Sequence, residues 1–156
     1  MRGSMKKYCF AASLGGHLEE ISCLKEIAGE CDSFLLTEKG GFQEIKFGKY
    51  TRYVVHINRK EKLFVFKFIY LWIQSLIIML QEKPDGVIST GALATFPICV
   101  LAKLFRKKVI YIESFARVDE PSLTGRLMYK VADLFIVQWE EMKEFYPNAV
   151  YGGGIF

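Results

Sequence analysis

Short apolar runs alternate with small-residue turns along this chain. Lys6-Lys7 leads into Tyr8-Cys9-Phe10-Ala11-Ala12-Ser13, which stops at glycines. A continuous apolar run bounded by charge and glycine predicts a buried strand. Leu14-Gly15-Gly16-His17 predicts the turn out of it. Leu18, Ile21, Leu24, Ile27 and Ala28 then recur at i, i+3, i+6, i+9 and i+10, which predicts one helix ended by Gly29. Ser33–Thr37 predicts a second strand and Glu38–Phe42 a loop. Arg52–Ile57 predicts a third strand, at an edge.

The strongest apolar segment follows. From Leu63 to Leu80, 15 of 18 residues are apolar, and Lys60, Lys67, Gln74 and Gln81 recur every seven residues. On a helix this makes one narrow polar stripe beside a broad apolar face. A spanning helix has no use for the stripe, and Lys67 in hydrocarbon would cost roughly 2–3 kcal/mol. Two readings remain: a helix half sunk in a membrane interface, or a core helix with one exposed edge. The first rests on aromatic residues suited to an interface, Phe64, Phe68 and Trp72 among them, beside Arg59, Lys60 and Lys62.

Beyond a turn at Lys83-Pro84-Asp85-Gly86, the pattern becomes regular. It predicts a strand at Val87–Ser89, a turn at Thr90–Ala92 and a helix over about 96–105 with Pro97 in its first turn. A strand at Lys108–Ile112, a polar loop at 113–123 and a short helix at 125–131 come next. A strand at Leu134–Val137 and a glycine-rich tail at 151–156 complete the chain. Strands alternating with helices across short joints predict an α/β fold with a Rossmann-like parallel sheet, and no linker suggests a second domain.

Composition narrows the function classes. The 156 residues carry a formal net charge of +4. Residues 1–78 hold 12 basic and 8 acidic side chains, and residues 79–156 hold 9 of each. That excess is too small for a nucleic-acid binder and large enough to matter at an anionic membrane or a phosphorylated ligand. The cysteines, Cys9, Cys23, Cys31 and Cys99, lack metal-binding spacing, so no metal site is expected. There is no signal-peptide pattern, which suggests reduced thiols, with Cys9 and Cys99 as buried hydrophobes. Met1–Ser4 reads as a vector-derived leader ahead of a natural start at Met5 and a single domain from 5 to 156.

In such sheets ligands bind beyond the carboxyl ends of the strands, and three loops end there. Gly15 and Gly16 let backbone amides approach an anion at a helix N-terminus, where about half a positive charge resides. His17 can act as base or donate to phosphate, with Glu20 one turn beyond. The same residues also suit a tight turn, a cap and acids complementing the dipole. Ser89-Thr90-Gly91-Ala92 is a second glycine turn, weak by itself. Glu113, Ser114 and Arg117 offer a carboxylate, a hydroxyl and a guanidinium that can hold sugar and phosphate, or the charged pair can simply bond to each other. His56 lies in an apolar run and reads as structural.

Together these residues resemble one family. The resemblance lies in Gly15-Gly16-His17 with Glu20, in Ser89-Thr90-Gly91-Ala92 with Pro97, in Glu113–Val118, in Ser122–Gly125 and in Ala132-Asp133 through Val137-Gln138-Trp139. The family is the membrane-anchoring, acceptor-side subunit of two-component glycosyltransferases. Its eukaryotic member helps add the second N-acetylglucosamine to dolichol-linked oligosaccharide, and bacterial members serve capsule and exopolysaccharide synthesis. The resemblance implies the N-terminal half of a GT-B glycosyltransferase, with no cofactor of its own. A separate catalytic subunit would bind the nucleotide-sugar donor, a UDP-sugar. This chain would recruit that partner to the membrane and present a polyprenyl-diphosphate-linked saccharide. His17 and Glu113 then stand as catalytic candidates. Gly15, Gly16, Glu20, Thr90, Gly91, Ser114 and Arg117 would bind the acceptor diphosphate, and Tyr151, Ile155 and Phe156 would dock the partner. The eukaryotic proteins carry an N-terminal transmembrane helix that is missing here, so a bacterial, peripheral form on the cytoplasmic face is expected, anchored by the 60–82 helix. The alternative is a scaffold that binds membrane and partner and leaves all chemistry to the partner.

Overall fold

A computed structural model describes residues 5–41 and 45–156. The leader Met1–Ser4, and Phe42 of the first predicted loop, lie outside the described residues. Seven strands form one parallel sheet: β1 (Lys7–Ala12), β2 (Asp32–Glu38), β3 (Thr51–Val54), β4 (Gly86–Gly91), β5 (Lys108–Ile112), β6 (Leu134–Val137) and β7 (Val150–Tyr151). Their order is β3-β2-β1-β4-β5-β6-β7. The chain winds outward from β1 in one direction and from β4 in the other. Between those two strands the order reverses, and a crevice opens at their carboxyl ends.

The helices are α1 (Gly16–Ser22), α2 (Lys25–Gly29), α3 (Phe64–Glu82), α4 (Phe96–Leu104) and α5 (Leu123–Met128). They cover both faces of the sheet, which is why the strands read as continuous apolar runs. In β1, Cys9 and Ala11 join the core under α3 and α4, whereas Phe10 and Ala12 join the core with Leu18, Ile21 and Ala28. Cys9 and Cys99 are fully buried, and burial pushes the Cys99 thiol up to about 12.

The single helix expected after His17 is two. It breaks after Ser22, and α2 restarts at Lys25. Spacings of three residues drift round a helix of 3.6 residues per turn, so one straight helix cannot bury the whole set. After the break Ala28 is buried while Ile27 is 55% exposed.

Helix α3 is turned differently from the sequence reading. Its buried residues are Leu71, Ser75, Ile78, Met79 and Glu82. Only the middle of the polar stripe meets the rest of the domain: Gln74 Oε1 accepts from Val55 N at 2.8 Å and Lys67 pairs with Glu61, while Lys60 and Gln81 are exposed. Phe64, Phe68 and Trp72 are half-buried in an aromatic row that continues to Phe96 of α4. The exposed face carries Val65, Phe66, Ile69, Tyr70, Ile73, Leu76, Ile77 and Leu80. At its C-terminal end Glu82 accepts from Lys7 Nζ at 2.6 Å and also from Tyr50 and Arg52, which clamps α3 to β1 and β3. Burial pushes the Glu82 carboxyl up, but those donors outweigh it and hold it down at about 2.

Candidate functional site

Two adjoining cavities open at the carboxyl ends of the central strands. One, of about 300 Å³, is lined by His17, Arg59, Ala92, Tyr111, Ser114 and Arg117, with Ser122 among its further residues. The other, of about 420 Å³, shares His17, Arg59 and Ala92 and adds Ser13, Glu38, His56 and Lys60. His17 and Arg59 line both, Arg117 lines the first and Lys60 the second. The lining is cationic and suits a phosphorylated ligand.

The backbone fixes His17 firmly. Its Nδ1 lies 2.8 Å from Thr90 O, and Thr90 Oγ1 donates to His17 O at 2.7 Å. A carbonyl only accepts, so Nδ1 carries the proton in the neutral ring and Nε2 keeps its lone pair. Gly91, at φ +102°, makes this approach possible: a Cβ there would stand 3.1 Å from the His17 ring and from Tyr111 Oη. Ser13 N donates to Gly91 O at 2.8 Å and Ala92 N to Ser13 Oγ at 3.1 Å, which stitches the loops after β1 and β4 together.

Several candidates play other parts than those expected. Thr90 and Gly91 are buried, and they hold His17 instead of meeting a ligand. Gly15, at φ +79°, and Gly16 are exposed at the rim, outside both cavities, and α1 has only seven residues, so its dipole is weak. Glu20 is 3% exposed and accepts from Ser114 Oγ at 2.8 Å and Gln138 Nε2 at 3.0 Å. A carboxylate so engaged is not a phosphate contact. His56 lies beyond the end of β3, exposed at the cavity, with Nδ1 3.2 Å from Glu38 Oε1.

Glu113 is also corrected. It is 1% exposed and does not pair with Arg117. Its Oε1 accepts from Ser122 Oγ at 2.8 Å and Ser114 N at 3.1 Å, and its Oε2 from Tyr146 Oη at 2.8 Å and Ser122 N at 3.3 Å. With four donors on its two oxygens, Glu113 braces the cleft wall and does not face the cavity. Burial, then the Glu113 charge, pushes the Tyr146 phenol far up, so it remains a donor. Ser122 caps α5 by accepting from Gly125 N at 2.7 Å.

Ser114 and Arg117 do reach the cleft, as expected. Sequence reasoning left Arg59 with the membrane-proximal cations. The geometry brings it into both cavities, because α3 runs antiparallel to the strands and the segment before it ends at the site. Lys60 follows it into one cavity. In the predicted glycine-rich tail, Tyr151 lies in β7, half-exposed, Ile155 is half-buried, and Phe156 is 68% exposed against Phe115.

Solved structures share this fold. MurG of Acinetobacter baumannii superposes with a TM-score of 0.72 at 17% identity, over 87% of this chain and 42% of MurG. A UDP-N-acetylglucosamine 2-epimerase of Rickettsia bellii gives 0.73 at 14% identity, over 92% of this chain and 41% of the epimerase. Among curated proteins, the human UDP-N-acetylglucosamine transferase subunit ALG14 is 38% identical over 119 residues, 68% of this chain and 55% of the human protein. The mouse protein is 44% identical over 94 residues, 56% of this chain and 43% of its own length. The chain thus spans about half the length of the curated relatives it matches. The model of the family "Oligosaccharide biosynthesis protein Alg14 like" matches residues 49–155, a span that runs from β3 and Arg59 to the C-terminal segment. By that match over more than half its length, the chain belongs to the Alg14-like family of oligosaccharide biosynthesis proteins.

Proposed function

We propose that this chain is the acceptor-binding, membrane-facing subunit of a two-component glycosyltransferase. It presents a polyprenyl-diphosphate-linked saccharide to a separate catalytic subunit, which binds the nucleotide-sugar donor, a UDP-sugar such as UDP-N-acetylglucosamine. The observation that carries this reading is the meeting of two cationic cavities at an oriented histidine, beside the N-terminal end of a helix with an exposed apolar face. The diphosphate lies between Arg59 and Arg117. His17 Nε2 accepts the proton of the attacking acceptor hydroxyl as that oxygen bonds to the anomeric carbon and UDP leaves. Ser114 orients the acceptor at the cleft wall. Helix α3 rests its Val65, Phe66, Ile69, Ile73 and Leu80 face in the inner leaflet, with Lys60 and Lys62 at the headgroups. In this reading Phe64, Phe68 and Trp72 support the helix from behind. The C-terminal residues Tyr151, Ile155 and Phe156 dock the partner. We assign the pathway to bacterial capsule or exopolysaccharide synthesis, on the cytoplasmic face of the cell membrane.

The test is His17→Ala in the assembled two-chain enzyme. Transfer to a lipid-linked acceptor should fall by about 10²–10⁴-fold, the usual worth of a general base, while assembly and membrane recruitment persist. Wild-type transfer by the variant would remove the catalytic role. A second reading, a scaffold with all chemistry in the partner, draws on the burial of Glu113, which leaves His17 as the one remaining catalytic candidate. Unchanged transfer by both His17→Ala and Arg117→Ala in detergent would favour it.

A further inference from the structure

Gln138, just after β6, is 3% exposed, and its amide is engaged at both ends. Its Nε2 donates to Glu20 Oε2 and to the Glu113 backbone oxygen, each at 3.0 Å. Its Oε1 accepts from Ile155 N at 2.8 Å. One side chain therefore ties the C-terminal segment to α1 and to the end of β5. Glu20 extends the connection, since its Oε1 accepts from Ser114 Oγ at 2.8 Å and Phe115 N at 3.3 Å. A second path runs alongside. Trp139 Nε1 donates to Phe115 O at 2.7 Å. The Phe115 ring packs 4.9 Å from Trp139 and edge-on 5.4 Å from Phe156. A Cβ at Gly154 would come 3.2 Å from that ring. Residues 114–117 are thus gripped from behind by the C-terminal segment, while Ser114, Ala116 and Arg117 face the cleft.

The sheet does not need this arrangement, because β6 and β7 already pair through their backbones. Apolar packing of the same volume stabilises a fold as well as buried polar bridges do, so what the bridge adds is a defined position. We infer that Gln138 is a positioning residue, which with Ile155 and Phe156 sets the 114–117 segment, so that the state of the C-terminal segment and the affinity of the cleft for a prenyl diphosphate are linked. Whatever engages the C-terminal segment changes acceptor affinity, and acceptor binding changes that engagement by the same factor. The inference rests on the reading of the cleft as an acceptor diphosphate site.

Farnesyl diphosphate is the probe, titrated into the full chain in a Trp72→Phe background, where Trp139 is the one remaining tryptophan. Gln138→Met, close in volume, should weaken binding about tenfold, within the usual range of site coupling. Removal of Ile155 and Phe156 should do at least as much, because it breaks both paths, and the two changes combined should be no worse than the deletion alone. Reciprocally, the probe should slow hydrogen exchange at the Ile155 amide in the wild type and not in Gln138→Met. A purely structural role would lower the melting temperature and leave both readouts unmoved. Wild-type affinity in both variants would overturn the linkage while leaving the site standing. Failure of the wild type to bind farnesyl diphosphate would overturn the site reading and the linkage with it. If Gln138→Met does not fold, the deletion carries the test.

Discussion

Gly125 leaves no room for any side chain. A Cβ there would fall 1.8 Å from Glu113 Oε2 and 2.7 Å from Tyr146 Oη, so Gly125→Ala must displace the buried carboxylate. Thermal or denaturant unfolding should show a loss of about 2–4 kcal/mol, typical when packing and a buried polar network fail together. Unfolding free energy within about 0.5 kcal/mol of wild type would show that the network relaxes freely. Residue roles were only half legible in the sequence. The place of His17, Ser114 and Arg117 at the cleft was legible from residue type and loop position. Glu20 and Glu113 were misassigned because a carboxylate at a strand end looks the same whether it faces a ligand or satisfies buried donors. Their partners, Gln138 and Tyr146, lie 118 and 33 residues away, beyond any local pattern. Arg59 was read by its neighbours in sequence, whereas its role follows from the direction in which α3 runs.

Helix α3 shows what periodicity can and cannot tell. Its existence and length followed from the apolar run. Its orientation did not, because Gln74 and Ser75 could not be recognised as the side turned toward the protein. Gln74 satisfies a backbone amide just past an edge strand, a need invisible from the helix alone. Ile69→Glu and Ile73→Glu, on the exposed face, should cut sedimentation with anionic vesicles by about tenfold or more, with stability within about 0.5 kcal/mol of wild type. Unchanged sedimentation would detach this face from the membrane. Phe68→Glu should instead unfold the domain, since it buries a charge in the aromatic row. The far end of α3 carries a pH dependence. Glu82 has its carboxyl lowered from 4.5 to about 2 by Lys7, Tyr50 and Arg52 against the opposing effect of burial. A group depressed in the folded state contributes stability above its unfolded value, which is lost as pH falls through the folded one. Stability should therefore drop between about pH 4.5 and 2. Glu82→Gln should flatten that drop and cost about 2 kcal/mol at pH 7, because hydrogen bonds to a charged group are lost. An unchanged acid limb in the variant would show that the clamp contributes nothing.

At the scale of the molecule, the sheet was legible because parallel strands covered on both faces leave continuous apolar runs, with small residues at each joint. The seventh strand was not, because Val150-Tyr151 is only two residues long and its pairing with β6 depends on the segment folding back. The result is a half-length fold with its cleft, its apolar helix and its C-terminal segment arranged around one rim. The proposed function has this chain present an acceptor and another protein bind the donor. The direct measurement is transfer of radiolabelled N-acetylglucosamine from its UDP conjugate to lipid-linked acceptor on membranes. These would hold this chain alone, the product of the neighbouring gene alone, or both. Transfer only with both is the predicted result. Transfer by this chain alone would place a donor site within these 156 residues and contradict the account.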